Sequence, residues 1–357
     1  MPSPPVLFSH PSSLEHDTGG HPERRERIVA VMEELERLDW LGYERVESPA
    51  VDREVLRRVH PDAYVESIEQ ICADGGGFLD ADTVVSRGSF HAALHAAGGA
   101  VALVDHLLSG GPGTVAFSLH RPPGHHALPR RPMGFCLFNN IAVAARHALT
   151  AGGARRVLIV DWDVHHGNGT NDVFHDTDEV LFASIHQWPL FPGTGQRSDV
   201  GEGAGLGHSI NLPVSGGSGD GVFVSLLRDV VVPVGRAFGP DLILISAGYD
   251  AHDGDPLASC RVSDAGFAAM ATLLRDLAAE LQVPIGAVLE GGYALGAVAR
   301  GVALTMDVLR GQEEGLYGVR SAVGALLAPA GGPCCGVPDA LALEARARLR
   351  EFWPVLG

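Results

Sequence analysis

Short apolar runs alternate along most of the chain with longer stretches of helical periodicity. The runs hold four to six residues each, mostly aliphatic, and such runs are typical of strands buried on both faces of a parallel sheet. The intervening stretches are rich in Ala and Leu at helical spacing, over 92–108, 139–150 and 264–281. Strands that alternate with helices predict an α/β fold, with a parallel sheet covered by helices on both faces. The predicted strands cover 114–119, 157–160, 180–185, 242–246 and 285–289.

Polar or glycine-rich segments follow each of these runs. The carboxyl ends of parallel strands meet at one edge of the sheet, where α/β proteins bind their ligands. After the run 157–160, an extended chain would place Asp161, Asp163 and His165 on the same side, because side chains alternate with a period of two. Two carboxylates and an imidazole predict part of a metal site. The segments after the five runs are, in chain order, 120–126, 161–167, position 186 with 191–195, 247–250 and 290–293.

Each polar segment also has an ordinary structural explanation. A single Asp after a strand is often a helix cap, and a Gly-Gly-Tyr can be a tight turn that carries a packed aromatic ring. One histidine of a tandem pair can lie in the core and the other on the surface. A functional site is favoured because several such motifs occur together at successive strand ends. They are two His-His pairs, an Asp-x-Asp-x-His, a further Asp and a Gly-Gly-Tyr.

Composition narrows the class of protein. Of the 357 residues, 46% are hydrophobic, and no uninterrupted apolar run approaches the roughly 18 residues of a membrane span. The five cysteines form no C-x-x-C pattern and the first residues lack the features of a secretory signal, so we expect a cytoplasmic protein with reduced thiols. A net charge of −17 argues against nucleic-acid binding and favours cationic substrates. No break in composition divides the chain, so one domain is expected.

Several motifs, most of them at these strand ends, carry a resemblance to a known family. They are His21-Pro22-Glu23 with Arg27, and the segments 121–127, 134–136, 161–170, 191–195, 250–251 and 290–293. In these motifs, which span about residues 5–310, the chain resembles the histone deacetylase family, near the class II and bacterial amidohydrolase branch that includes acetylpolyamine amidohydrolases. The resemblance implies one catalytic domain over 1–357 with the arginase/deacetylase fold, a three-layer α/β/α architecture with a mainly parallel eight-stranded sheet. Residues 311–357 would be a C-terminal helical extension of that domain.

The resemblance also implies a zinc-dependent deacetylase and assigns its metal ligands. They would be Asp163, His165 and Asp250, and three protein ligands leave room for water, as in catalytic zinc sites. Two carboxylates also allow Fe²⁺ to compete. The hydroxyl of Tyr293 and the metal would together stabilise the oxygen of the acetamide as negative charge develops on it.

Two histidines would handle the protons, by the same resemblance. His126 would take a proton from the water at the metal and later deliver one to the leaving amine, while His125 supports the charge distribution. Asp161 would hydrogen-bond His125 from behind the ligands. Asn168 stands where class I relatives carry Asp and class II relatives Asn, so His126 should be less basic than it would be beside a carboxylate.

The family pattern also assigns a substrate channel and monovalent cation sites. Potassium would bind mostly through backbone oxygens. The channel and its rim would be formed by Gly134, Phe135, Phe191, Gly291 and the rim acid Asp82, and Arg27 would line the cavity through which acetate leaves. The inner potassium site would use Asp161, Asp163, His165, Ser184 and Ile185, and the outer site Phe174, Thr177, Val180 and His208.

Several alternatives stay open or are disfavoured by the sequence. A binuclear manganese hydrolase of the arginase type would need further bridging carboxylates, which 166–168 do not supply. A catalytically weak or non-enzymatic binding homologue is disfavoured because the ligands, both histidines and Tyr293 are all present. The substrate stays open between acetylated polyamines or other small acylated amines, acyl-lysine in a protein, and amides with longer acyl groups. The oligomeric state, a monomer or a homo-oligomer such as a dimer or tetramer, also stays open.

Overall fold

Eight parallel strands form the central sheet. The computed structural model describes residues 3–311, 315–328 and 339–357. The strands are β1 (Val6–Ser9), β2 (Glu44–Glu47), β5 (Val115–Leu119), β6 (Val157–Asp161), β7 (Val180–Gln187), β8 (Ser209–Val214), β9 (Leu242–Ala247) and β10 (Ile285–Leu289). A separate antiparallel hairpin consists of β3 (Gly76–Phe78) and β4 (Val84–Ser86). The order in the sheet is β2-β1-β5-β10-β9-β6-β7-β8, and every neighbouring pair is parallel.

Helices cover both faces of this sheet. They are α1 (Glu26–Arg37), α2 (Arg53–Leu56), α3 (Asp62–Ala73), α4 (Ser89–Gly110), α5 (Asn140–Thr150), α6 (Asn168–Val173), α7 (Asp220–Leu226), α8 (Val232–Phe238), α9 (Asp264–Leu281), α10 (Leu295–Leu309), α11 (Arg320–Leu327) and α12 (Ala340–Leu349). Successive side chains of β6 lie in the cores on opposite faces of the sheet. Val157 and Ile159 belong to the core that includes α4 and α5, and Leu158 and Val160 belong to the core that includes α9 and α10. The predicted three-layer α/β/α fold is therefore confirmed.

The five strands predicted from apolar runs are present, and the three missed ones lie towards the sheet edges. β2 is an edge strand whose residues are mostly exposed and charged. β8, at the other edge, mixes Ser, Asn and Pro with aliphatic residues. A continuous apolar run identifies only a strand that is buried on both faces, so this pattern does not detect edge strands that contain polar residues. β1, beside β2, has only four residues.

Helix α4 is long and apolar. It is 22 residues long, and its most apolar window has a mean hydropathy of 1.3, so length and composition alone would allow it to cross a membrane. Within this structure 61% of that window is buried, and its apolar side chains, such as Leu103 and Leu107, contribute to the core beside β1 and β5. We interpret α4 as a core helix.

The C-terminal segment after α10 is helical where the structure describes it. α11 packs on α9, and α12 packs on α7. Arg348 of α12 donates to the carbonyl oxygen of Asn211 on β8, at 3.0 Å. The predicted helical extension over 311–357 thus has two helices, and 312–314 and 329–338 lie outside the described residues. Cys334 and Cys335 fall in that gap, whereas Cys72, Cys136 and Cys260 are buried free thiols.

A buried histidine makes the fold sensitive to acid. His60 is fully buried; its Nε2 accepts the backbone N–H of Asn139 at 2.8 Å and its Nδ1 faces the carbonyl oxygen of Pro129 at 3.1 Å. Both contacts are satisfied only by the neutral ring with its proton on Nδ1. Burial lowers the pKa of His60 from 6.5 to about 4.

We therefore expect His60→Gln to weaken the pH dependence of stability. The unfolded chain binds the proton more readily than the folded one between pH 6.5 and 4, so the contribution of His60 is complete above this window and declines with falling pH, by about 1.4 kcal/mol per unit. Urea unfolding at several pH values should show a smaller decline in the variant. His91→Gln, at an exposed site, should keep the wild-type decline; equal slopes in wild type and His60→Gln would contradict the assignment.

Candidate active site

Asp163, His165 and Asp250 converge at the carboxyl ends of β6 and β9. Their ligand atoms all lie within 4.8 Å of one another, and over the described residues no other group of three His, Cys, Asp or Glu does this. The Nδ1 atom of His165 lies 3.2 Å from Oδ1 of Asp163 and 3.0 Å from Oδ2 of Asp250. The structure thus brings together the three residues that the sequence predicted as metal ligands.

Short turns, rather than an extended strand, aim the first two ligands. β6 ends at Asp161, so the condition of an extended chain as far as His165 is not met. The N–H of Asp163 donates to Oδ1 of Asp161 at 3.1 Å, and the N–H of His165 donates to Oδ1 of Asp163 at 2.9 Å. Carboxylates that bind the backbone two residues later form turns of this kind, and these turns bend the segment.

The carboxylates of Asp163 and Asp250 are held by backbone N–H groups from the segments that follow β10 and β6. Oδ2 of Asp163 accepts the N–H of Gly291 at 2.8 Å, and Oδ1 of Asp250 accepts the N–H of Val164 at 2.8 Å. A side chain at Gly291 would not fit, since its Cβ would lie 2.2 Å from Oδ2 of Asp250 and 2.5 Å from Oδ2 of Asp163. The glycine therefore gives the backbone close access to both carboxylates.

The charge balance at this site suits a metal dication. Asp163 and Asp250 are completely buried and lie next to each other. Burial, together with the charge of Asp163, raises the pKa of Asp250 to about 7. Burial opposes a charge on His165, but Asp250 and Asp163 outweigh it and raise its pKa to about 10. One imidazole and two carboxylates fit Zn²⁺ or Fe²⁺, because this donor set leaves a coordination position free.

Two hydrogen-bonded histidines lie beside the ligands. Nδ1 of His125 is 2.9 Å from Oδ2 of Asp161, and Nδ1 of His126 is 2.8 Å from Oδ1 of Asn168. The ring centroids of the two histidines are 4.0 Å apart, and the ring of His126 is 5.9 Å from that of His165. Both partners predicted from the sequence, Asp161 and Asn168, therefore lie in the expected contacts.

The pKa values of the two histidines are shifted in opposite directions. Burial disfavours the charged form of His125, but Asp163 and Asp161 outweigh it and raise its pKa to about 10. Burial and the charge of His125 hold the pKa of His126 well below 6.5. His126 is therefore neutral near pH 7. Because Oδ1 of Asn168 can only accept, the proton of His126 is on Nδ1 and its Nε2 carries a free lone pair.

Tyr293 lies beneath the cationic side chain of Arg27. The guanidinium carbon of Arg27 is 4.9 Å from the centroid of the tyrosine ring. Arg27 is fully buried and donates to the carbonyl oxygens of Gly292 at 2.6 Å and Glu290 at 2.5 Å. Burial raises the pKa of Tyr293 well above 10, so its hydroxyl stays protonated and able to donate.

Two aromatic rings lie beside His126 and Tyr293, and one of them is partly exposed. The ring of Phe191, 40% exposed, lies 5.1 Å from His126, and the ring of Phe135 lies 5.8 Å from Tyr293. Gly134 has φ +56°, and a Cβ there would lie 2.4 Å from Cδ2 of His126. The glycine therefore lets the chain turn against the histidine ring. Phe135 and Phe191, two of the predicted channel residues, therefore lie beside Tyr293 and His126, and the channel itself stays a prediction.

The predicted rim acid lies on the turn between β3 and β4. Asp82 is partly exposed, and its N–H donates to Oδ1 of Asp80 at 3.0 Å. Thr83, the next residue, accepts the N–H of Phe135 on its hydroxyl at 3.2 Å. Phe135 has the left-handed φ of +70°, which is strained for a non-glycine residue and which this contact helps to hold. The turn is thus tied to Phe135, one of the predicted channel residues.

The residues predicted for the inner potassium site lie at and after the end of β6 and on β7, and those predicted for the outer site lie around the amino ends of β7 and β8. Asp161 and Ser184 are direct neighbours on β6 and β7, and Ile185 follows on β7. Phe174 and Thr177 lie between α6 and β7, Val180 begins β7, and the carbonyl oxygen of His208 accepts the N–H of Phe182 at 2.9 Å. Their backbone role stays a prediction.

Several buried carboxylates support the site without having been assigned a role from sequence. Asp255 accepts the N–H groups of Tyr293 at 2.6 Å and Ala294 at 3.1 Å. Glu290 accepts those of Gly124 at 2.7 Å and His125 at 3.1 Å. Glu23 binds Arg27 and Arg121, all three completely buried. The position of Glu290 directly after an apolar strand was a usable signal, whereas Asp255 lies in a loop that offers none.

Comparison with known proteins matches this geometry to a family. Residues 21–309 match the histone deacetylase domain model. Histone deacetylase 14, chloroplastic, of Arabidopsis thaliana is 38% identical over 330 residues, which cover 87% of this chain and 77% of that protein. A histone deacetylase-like amidohydrolase of Pseudomonas aeruginosa is 38% identical over 324 residues, covering 90% and 80%. The crystal structure of the HDA15 HD domain superposes with a TM-score of 0.87 at 34% identity, covering 99% of this chain and 96% of that one. The chain therefore belongs to the histone deacetylase family.

Proposed function

We propose that this protein is a zinc-dependent deacetylase that hydrolyses the acetamide of an acylated aminoalkyl chain to the free amine and acetate. Family membership and relatives named as deacetylases and as an amidohydrolase support amide hydrolysis in general. The observation that carries the specific proposal is the convergence of Asp163, His165 and Asp250 beside a neutral His126. This arrangement combines a metal site with a base that is free to accept a proton.

Asp163, His165 and Asp250 would hold the metal, with Zn²⁺ proposed and Fe²⁺ as the alternative ion. When bound, such an ion polarises a carbonyl group and makes water more acidic. The N–H groups of Gly291 and Val164 keep the two carboxylates oriented. Hydrogen bonds of this kind to ligand carboxylates fix the geometry in which the ligands can bind.

His126 acts as the general base and then as the general acid. Its Nε2 accepts a proton from the attacking water, and the same atom delivers a proton to the leaving amine nitrogen. Asn168 holds the ring by accepting from Nδ1, and it is itself oriented by weak contacts of its Nδ2 to the carbonyl of His126 and to Sδ of Met133, both at 3.4 Å. His125, charged and paired with Asp161, keeps His126 neutral before the reaction.

The hydroxyl of Tyr293 donates a hydrogen bond to the acetamide oxygen as negative charge develops on it. A donor held in a buried site stabilises this charge more than water does, because it is already oriented. Arg27, above the ring, adds positive charge on the same side. We also propose that Arg27 lines the path by which acetate leaves.

The proposed substrate is a small acylated amine, such as an acetylated polyamine, or an acyl-lysine side chain. We propose that Phe135 and Phe191 flank a channel suited to an aliphatic chain, because their rings lie beside Tyr293 and His126. The net charge of −17 favours cationic substrates. Amides with longer acyl groups are the alternative substrates.

The remaining proposals concern cations, location and assembly. We propose that potassium binds at the backbone sites and that the protein is a cytoplasmic homo-oligomer. We also propose that it binds neither nucleic acid nor membranes.

A panel assay tests the function. We expect the zinc-loaded protein to release amine from at least one of acetyl-lysine peptide, trifluoroacetyl-lysine peptide, N-acetylputrescine and N-acetylspermidine. Removal of the metal with a chelator should abolish turnover, and Zn²⁺ or Fe²⁺ should restore it. If the metal-loaded protein turns over no acyl-amide in the panel, the proposal is wrong; the non-enzymatic alternative then predicts binding of these compounds without turnover.

A further inference from the structure

Glu290 joins the loop that carries the two histidines to the strand that leads to Tyr293. It is the first residue after β10 and is completely buried. One oxygen of its carboxylate, Oε2, accepts the N–H of Gly124 at 2.7 Å and that of His125 at 3.1 Å. We infer that Glu290 is a positioning residue for the general base, because it holds the backbone from which His126 projects. This inference rests on the deacetylase function proposed above.

The other contacts of Glu290 make the backbone of the loop its main partner. Its second oxygen, Oε1, accepts only a long hydrogen bond, 3.3 Å, from the hydroxyl of Ser246 on β9. Arg27 binds the carbonyl oxygen of Glu290, not its carboxylate. Within the described part of the chain, no Arg or His lies within ion-pair distance of that carboxylate. A buried carboxylate without an ion pair in contact is costly, and here the two backbone donors and the nearby charge of His125 offset part of that cost.

Glu290 holds a part of the loop backbone that the other contacts do not reach. The N–H groups of Gly169 and Thr170 donate to the carbonyl oxygen of His125, whereas Glu290 accepts the N–H groups on the other side of that residue. Asp161 and Asn168 orient the rings of His125 and His126, and neither accepts the N–H of Gly124 or of His125. The residue after Glu290 donates its N–H to the metal ligand Asp163, and Tyr293 follows shortly after it. Glu290 therefore sets the base relative to both the metal ligands and the oxyanion donor. A displacement of about 1 Å between such groups can cost roughly 10²-fold in rate.

Glu290 could instead act through the effect of its negative charge on His125. Two conservative variants distinguish this role from positioning. In Glu290→Gln, the amide oxygen can accept both backbone N–H groups and the amide NH₂ can donate to Ser246, but the charge is lost. In Glu290→Asp, the charge remains, but the side chain is one methylene too short to reach both donors. If Glu290 acts by positioning, the glutamine variant should be the more active of the two. If it acts through its charge, the aspartate variant should be the more active.

Steady-state kinetics on the metal-loaded variants test the inference, with the substrate that the wild-type protein turns over best. We expect Glu290→Gln to keep kcat within about 5-fold of wild type, and Glu290→Asp and Glu290→Ala to lose about 30-fold or more, with KM changed less than about 3-fold in each. Ser246→Ala, which removes only the contact to Oε1, is the matched control and should stay close to wild type. Metal content and circular dichroism should match wild type.

Two outcomes would overturn the positioning role. One is a wild-type kcat in folded, metal-loaded Glu290→Ala. The other is a glutamine variant no more active than the aspartate variant, which also decides the matter if the alanine variant does not fold. Absence of turnover in the wild-type protein is a separate result, which would refute the proposed function and not the anchoring of the loop. In that case, the N–H groups of Gly124 and His125 should still lose protection from hydrogen exchange in Glu290→Asp, and unchanged protection would overturn the anchor.

Discussion

Replacement of Tyr293 by phenylalanine should lower kcat by about 10²- to 10³-fold, the usual loss when one donor to a developing oxyanion is removed. The ring contacts with Arg27 and Phe135 do not involve the hydroxyl, so the variant should keep its fold. KM should change much less than kcat, because the hydrogen bond strengthens as charge develops on the acetamide oxygen.

The measurement for Tyr293→Phe is steady-state turnover with metal content determined on the same sample. Tyr43→Phe is a matched control, since it also removes a buried hydroxyl that donates, to the carbonyl oxygen of Met306 at 2.9 Å. That variant should lose about 1 kcal/mol of stability and keep its kcat. Wild-type turnover in Tyr293→Phe would show that the hydroxyl is not the oxyanion donor.

Replacement of Asp250 by alanine should abolish both stoichiometric metal binding and turnover. Only Asp163 and His165 would remain as ligands, and two ligands do not make a catalytic zinc site. The change also removes the acceptor for the N–H of Val164, which lies between the two remaining ligands. Asp250→Asn keeps this acceptor and the shape of the side chain but loses the charge, so it should bind metal more weakly than wild type rather than not at all.

Metal content after dialysis, measured by mass spectrometry, tests the assignment of Asp250. Asp253→Ala is the control, because Asp253 lies three residues further on but is exposed and faces Arg261 at 3.7 Å. It should keep one metal per chain and full activity. If Asp250→Ala retained one metal per chain, Asp250 would not be a ligand, and a different residue would have to complete the site.

The binding edge of the sheet and most of its chemistry could be predicted because both depend on local sequence. The apolar runs that became β5, β6, β7, β9 and β10 are buried on both faces, and such strands have a continuous aliphatic pattern. The edge strand β2 consists of Glu, Arg and Val, and its pairing with β1 is decided by long-range contacts. A pattern of burial cannot reveal a strand that is largely exposed.

The details of the site depend on contacts that no local pattern encodes. The turns after β6, which end the extended chain before Asp163 and His165, arise from hydrogen bonds of carboxylates to the backbone. Asp255 and Glu290 support Tyr293 and the histidine loop through backbone N–H groups, which carry no signature in the sequence of those partners.

The sequence by itself determined the class of fold, the polar residues at each strand end and the resemblance that assigned them roles, since these follow from hydrophobic periodicity and motif spacing. Only the tertiary structure decided which strand ends are neighbours. His165 and Asp250 are 85 residues apart, and they meet because β6 and β9 pair side by side. The order of strands depends on how helices of the whole chain pack across the sheet, and that packing joins residues whose separation in sequence says nothing about their distance.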